Sequence, residues 1–322
     1  MIKVFLLSLF TLNSALFAHG FDEWYQELDE KQKALVSKDF DSAERTQWHY
    51  VPMKERKGLA ISAMTQEQSD EMFHIMAHVL SDQGIKKVKA VIEMEKILRE
   101  VEGDHRDPKK FYFTLFGKVN QGKWGFSFEG HHISVNFTFN DKTLISGTPL
   151  FFGANPAKIF KNSSSSLREG ERPLAFAEDA AFDLVKSFDP SQKALAHKEK
   201  ITMRDMKEGK KASPGEYDKD GINWKQLKSQ QQKDLMTLIR KAYIDDLQEI
   251  YANQVWKEIE ADKENMRFTY YGGTNLQEPH HYQIIGNDLV ILLFNTQNGT
   301  QKTKVNHVHQ IWRSRKADFG GK

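Results

Sequence analysis

The chain has 322 residues, enough for one large domain or two of ordinary size, and its 39% hydrophobic and 28% charged content describes a globular protein rather than a disordered one. Against 46 basic residues stand 44 acidic ones, a formal net charge of +2, and no Lys/Arg block carries interleaved aromatics. A nucleic-acid partner is therefore not expected. The absence of cysteine rules out disulfides and a lipoprotein anchor, so stability has to come from an apolar core.

Residues 1–18 read as a secretory signal peptide. Lys3 gives a positive start, Val4 to Phe10 is apolar apart from Ser8, and Ser14, Ala15 and Ala18 are small. Cleavage after Ala18 would leave His19 as the first residue of a periplasmic or secreted protein. The apolar run is too short to remain as a membrane anchor, so no membrane insertion is expected after cleavage.

From Phe21 to Asp39 the pattern is helical, with Trp24, Leu28, Ala34 and Leu35 as candidate core positions. An irregular segment with Glu44, Arg45, Trp48 and His49 runs to Pro52. Thr65 with Gln68 forms a capping-box signature ahead of a helix carrying Met72, Ile75, Met76 and Val79. A second helix spans about Lys86 to Glu102. From Phe111 the period changes to two, and Trp124 to Pro156 holds two strand-like runs about a Glu129-Gly130 turn. In the second run Ile133, Val135 and Phe137 should share a buried face, with Ser134 and Asn136 opposite. Residues 161–171, rich in serine, read as an exposed connection. Helices resume at Ala175, a charged loop covers about Asp205 to Gly221, two further helices reach Glu264, and strands return at Met266.

This order repeats. QKALVSKDF from Gln32 matches QKALAHKEK from Gln192, Gly58-Leu59 matches Gly221-Ile222, and FTLFG from Phe113 matches FTYYG from Phe268. The expected fold class is α+β, in two similar halves, 19–160 and 172–322. Each half would be helices followed by an antiparallel β-meander, related by a pseudo-twofold duplication. Ligand sites favour such junctions.

Taken in order, ERTQWHYVP, RKGL, FEGHHISVNFT, FFGANP, HHYQIIG, NTQN and NHVHQIWR resemble a bacterial and fungal family of unknown function, DUF3500, over nearly all of the mature chain. The resemblance implies the extent of the domain and no activity. It also implies that His280, followed in the family by two aromatics, is the more dependable member of the His280-His281 pair.

Chemistry concentrates in histidines. His307 and His309, two apart on a strand, should point to one face as two imidazole ligands of a zinc or copper ion can. His132 or His280 is the candidate third ligand, and Glu129 the candidate general base beside a catalytic His132. The competing reading has these rings bonded to backbone and amides in a polar seam. Asn136, Asn155, Asn295, Gln297 and Asn306 could orient histidines or bind saccharide hydroxyls, and Trp312 with Arg313 could form a stacking or anion clamp. No serine-hydrolase, Walker, zincin or Rossmann fingerprint is present. The sequence therefore supports an exported protein with a His/Asn-lined pocket at the junction of its halves. Such a protein could carry out metal-assisted or His-mediated chemistry on a small polar substrate. The alternative is a non-catalytic binding protein for a saccharide or peptide. Intact-mass measurement of the exported product should show the loss of residues 1–18; retention of Met1 in exported protein refutes the leader.

Overall fold

Asp29 breaks the first helical stretch in two. Its carboxylate accepts from the backbone N–H of Gln32, and the Gln32 side chain returns the bond to the Asp29 N–H, so a helix begins afresh there. The computed structural model describes residues 20–202, 208–209, 211–217, 220–300 and 305–321; the leader and His19 lie outside the described residues. Helix α1 (20–27) buries Trp24, α2 (Glu30–Val36) turns Gln32 and Val36 inward, and strand β1 (Ser37–Lys38) follows. The restart rotates the pattern, leaving Ala34 and Leu35 exposed where the sequence suggested core.

Strand β2 (Leu59–Ala60) leads to α3 (Gln66–Ala77), started by the Thr65–Gln68 capping box, and α4 (Asp82–Glu102), capped by Ser81. Strands β3 (Tyr112–Phe116), β4 (Lys123–Gly130), β5 (Ile133–Asn140), β6 (Thr143–Ser146) and β7 (Leu150–Ala154) follow. The β4–β5 turn is His131-His132, two residues beyond the expected position, because Gly130 stays in the ladder opposite Ile133. As the period of two requires, Ile133, Val135 and Phe137 face the helices, and Ser134 and Asn136 the other side. Residues 161–171 are mostly exposed, as expected, and are tethered where Ser165 and Ser166 bond to Glu93 of α4.

The chain continues through α5 (Ala175–Lys186), α6 (Pro190–Ala196), β8 (His197–Lys198), β9 (Ile222–Asn223), α7 (Ser229–Ala242) and α8 (Glu249–Asp262). It closes with β10 (Arg267–Gly272), β11 (His280–Ile285), β12 (Leu289–Asn295) and β13 (Val308–Ser314).

All the strands form one mixed sheet in the order β1-β3-β4-β5-β7-β13-β12-β11-β10-β8, with β2, β6 and β9 beside it. The meanders are antiparallel, but β1 and β8 join the edges in parallel, a feature the strand pattern did not reveal. The α-helices lie on one face over an aromatic core, where Trp124 stacks on Phe139 at 4.3 Å and Phe113 on Phe126 at 5.1 Å. Each fully buried ring of this kind contributes about 1.5–3 kcal/mol. The opposite, outer face is covered by irregular segments that pack Trp48, Tyr50 and Phe319 on Phe151, Phe294 and Ile311. β7 and β13 meet in mid-sheet, and the α3–α4 and α7–α8 connections meet above them through Ser81 N–H to Asp246 O and Gln248 N–H to Val79 O.

Gly58 and Gly221 sit in matching places. Both have left-handed φ (96° and 112°), and a Cβ on either would approach a threonine hydroxyl and a strand carbonyl, of Thr114 and Phe113 or of Thr269 and Phe268, to within 2.5 Å. Likewise, Gln32 and Gln68 exchange amide bonds, and so do Gln192 and Gln231. Gly58→Ala and Gly221→Ala should each lower unfolding free energy by at least ~2 kcal/mol in urea melts. A neutral result at either position would show that the strain is relieved by movement of the segment.

Candidate metal centre

His132 occupies the second position of the two-residue β4–β5 turn at φ 65°, a left-handed conformation uncommon for a side-chain-bearing residue. Its N–H donates to Tyr50 O at 2.9 Å, and its carbonyl accepts from Gly153 N–H at 2.8 Å. The turn is thereby pinned both to the outer covering segment and to β7. Across β7 lies β13, with His309 directly opposite Gly153. A Cβ on Gly153 would lie 2.8 Å from His132 Cδ2 and 2.9 Å from His309 Cδ2. The two rings can approach because nothing stands between them.

His307 completes the group. Its Nε2 is 2.7 Å from His132 Nε2, and its ring is 4.6 Å from that of His309. One nitrogen from each of His132, His307 and His309 can be chosen so that all lie within 4.8 Å of one another. Tetrahedral zinc with Zn–N of about 2.0–2.1 Å sets nitrogens roughly 3.3 Å apart, so His132 and His307 would open slightly around an ion. His132 and His309 are buried and His307 is half-buried.

A second layer backs the turn. His131 stacks on His132 at 3.7 Å, and its Nδ1 meets Glu95 Oε1 of α4 in a short contact, with Arg106 Nη1 at 3.3 Å. Arginine can only donate, so in the Arg106 contact Nδ1 is the acceptor. Burial pushes the Glu95 carboxyl up to about 8. Burial, joined by the neighbouring cationic groups, holds His131 and His132 well below the ordinary imidazole range. Neutral imidazole is the form that ligates metal.

The other expected site residues have different surroundings. His280 faces the helices, where its Nε2 meets Glu178 at 3.0 Å and its Nδ1 the Glu278 carbonyl at 2.8 Å; it does not join the three-histidine group. Burial alone would raise Glu178, but bonds from His280 and Asn295 and the Arg172 charge hold it below the ordinary range. Glu129 is buried, with one carboxylate oxygen in an ion pair with Lys57 at 2.9 Å and the other accepting from the Ser134 hydroxyl. Trp312 and Arg313 project from opposite faces, as adjacent strand residues must, and cannot form one clamp. Arg313 instead binds Glu208 and Asp318 in the outer covering.

The amides serve the chain itself. Asn136 donates to Pro149 O, Asn155 accepts from Thr300 N–H, and Asn306 exchanges bonds with the Lys158 backbone. Asn295 donates to Glu178 and accepts from His307 N–H, so it positions a member of the cluster. Gln297 contributes its backbone carbonyl, to Asn306 N–H. Sequence reasoning gave no role to Glu95, Arg106, Gly153 or Glu178. Glu178 had a signal: it is an acid in register with Phe182 and Val185 on the buried side of α5.

Fold and site together define an α+β protein with a buried histidine group of metal-ligand geometry at the middle of a mixed sheet. The chain belongs to the family described as Protein of unknown function (DUF3500), whose model matches residues 16–321. No curated protein and no solved structure matches it.

His281 offers a test of the outer face. Buried between Tyr271 (4.0 Å) and Phe294 (4.9 Å), it has neither ring nitrogen hydrogen-bonded among the described residues. Burial first, then the charge of His280, lowers it to about 3. Lys198 lies beyond it, over the Tyr271 ring. A depressed imidazole is neutral in the fold, whereas the unfolded chain takes up a proton below about pH 6.5. Its stabilising contribution is therefore complete above pH 6.5 and declines as pH falls toward 3. Wild type should lose about 2 kcal/mol more than His281→Phe between pH 7 and pH 5. Parallel pH–stability curves for the two would contradict this.

Proposed function

We propose that this chain is an exported metalloprotein. In this reading His132, His307 and His309 hold a divalent transition ion, zinc or copper, for metal-assisted hydrolytic or redox chemistry on a small polar molecule. The observation that carries the reading is the convergence of three imidazoles from two distant chain segments onto a point kept open by Gly153. Three imidazoles suit zinc and copper, and leave a fourth position for water or substrate. An ion there would act as a Lewis acid or generate hydroxide near neutral pH. Glu95 and Arg106 would serve as the outer support that fixes the His131–His132 turn, and Asn295 would hold the His307 backbone.

Duplication is part of the same reading. In its support, both edges carry a parallel two-residue strand after a capped helix, both have the left-handed glycine, and both bury a reciprocal glutamine pair. Assigning 19–160 and 172–322 as the halves, His132 comes from one and His307 with His309 from the other. Export is supported by the pattern of Lys3, the apolar run and Ala18.

Protein from zinc- and copper-supplemented medium should carry close to one equivalent of ion by elemental analysis. His307→Ala should abolish it with the circular dichroism spectrum unchanged. Gly153→Ala, which keeps every ligand, should reduce it at least tenfold by pushing the rings apart. Metal-free wild type, with ligand affinity untouched by exhaustive chelation, would replace the metal reading with a saccharide- or peptide-binding one.

A further inference from the structure

On the helix-side face, under the meeting of the two halves, lies a cleft of about 760 Å³ that the histidine group does not use. It is open because three helices turn small side chains toward it: Ala90 of α4, Ala177 of α5 and Ala242 of α7. Gln310, adjacent to His309 on β13 but on the opposite face, lies among its lining residues.

Two buried polar atoms at this cleft are unmatched. Gln310 is 2% exposed, and its amide oxygen has no hydrogen-bond partner among the described residues. Arg172 spends its terminal nitrogens on Asp179 and Glu178, but its buried Nε is also without a partner. A buried unsatisfied group costs about 1–3 kcal/mol, and the interior normally avoids this. Both atoms belong to residues that line the cleft.

Charge indicates the ligand's chemistry. Lys86, Lys89 and Lys241 are exposed on the cleft and form no ion pair among the described residues. Lys87 is neutralised by Asp246, and Glu93 is held by Lys96 and the Ser165–Ser166 segment. Glu171, also exposed on the cleft, accepts from the Arg168 N–H and forms no ion pair among the described residues, so three lysines stand against one carboxylate and the balance is positive. Phe176, 42% exposed, adds an apolar wall beside Leu174. We infer that this cleft binds a small organic anion, its carboxylate or phosphate met by the lysine rim and Arg172 Nε, and its polar body bonded to Gln310. This site is separate from the histidine group, and neither depends on the other.

Thermal unfolding at low salt with glucuronate, glucose 6-phosphate or glucose tests the inference and separates carboxylate from phosphate. At least one of the two anions should raise Tm by about 2–4 °C at ten times its Kd, with glucose inert and the shift lost in high salt. Lys86→Glu with Lys241→Glu should abolish the shift. Gln310→Leu should raise the Tm of the free protein by removing an unsatisfied group, yet diminish the ligand-induced shift; a merely structural glutamine would lower the Tm instead. The anion shift should survive chelation and His307→Ala, which sets it apart from the metal centre. The inference is overturned if neither anion stabilises the protein, if glucose does so equally, or if the shift persists in the double lysine variant.

Discussion

The antiparallel pairing of β7 with β13 is the constraint on which the rest of this molecule depends. Its register sets His309 opposite Gly153 and Gln310 opposite Phe152. Because side chains alternate between faces, a slip of one residue would exchange the two. His309 would enter the helix-side cleft, and Gln310 would turn toward the histidine group. Burial on both faces holds the register: Phe152 and Trp312 belong to the helix-side core, and Phe151 and Ile311 to the outer one. Both candidate sites are therefore consequences of one strand pair.

Among the described residues the outer face is closed by irregular segments, and that closure rests on buried charge. Arg313 lies fully buried over Trp48 at 5.3 Å. It bonds to Glu208 and the Lys211 carbonyl in one segment of the covering and to Asp318 just beyond β13, tying that segment to the C-terminal end of the chain. Removing one partner of such a buried pair typically costs about 3–5 kcal/mol, because the survivor is left uncompensated. Lys57 with Glu129 makes a similar fastening beside the β4–β5 hairpin. Tyr50, stacked on Phe151 at 4.0 Å, then delivers its carbonyl to His132. The covering segment thus takes part in building the histidine group.

Neighbouring histidines in this chain have separate physical roles. In the first pair, His131 turns to a carboxyl on α4 while His132 turns to His307 and His309. In the second, strand alternation separates the rings: His280 meets Glu178 among the helices, and His281 is pressed between two aromatic rings on the outer face. Only His280 has a carboxylate and a carbonyl facing its two nitrogens. Adjacency in sequence said nothing about these differences.

What the sequence determined by itself was local and periodic. The capping box at Thr65 and the alternation of Ile133, Val135 and Phe137 follow from rules that span a few residues, and the structure displays both; His307, expected on the same strand as His309, instead precedes β13, with the two rings 4.6 Å apart. Family membership was likewise legible, since ordered motifs survive divergence. The tertiary structure decided what depends on distance along the chain. His132 joins histidines about 175 residues away, while His280, equally eligible by spacing, is turned to the other side of the sheet. Nor did the sequence reveal that Trp312 and Arg313 part company or that the asparagines bond within the chain, because a side chain's partner is set by what packs against it. Gly153 shows the limit most clearly. Its identity was plain in the sequence, but its role as the gap between two rings exists only once β7, β13 and the β4–β5 turn have met.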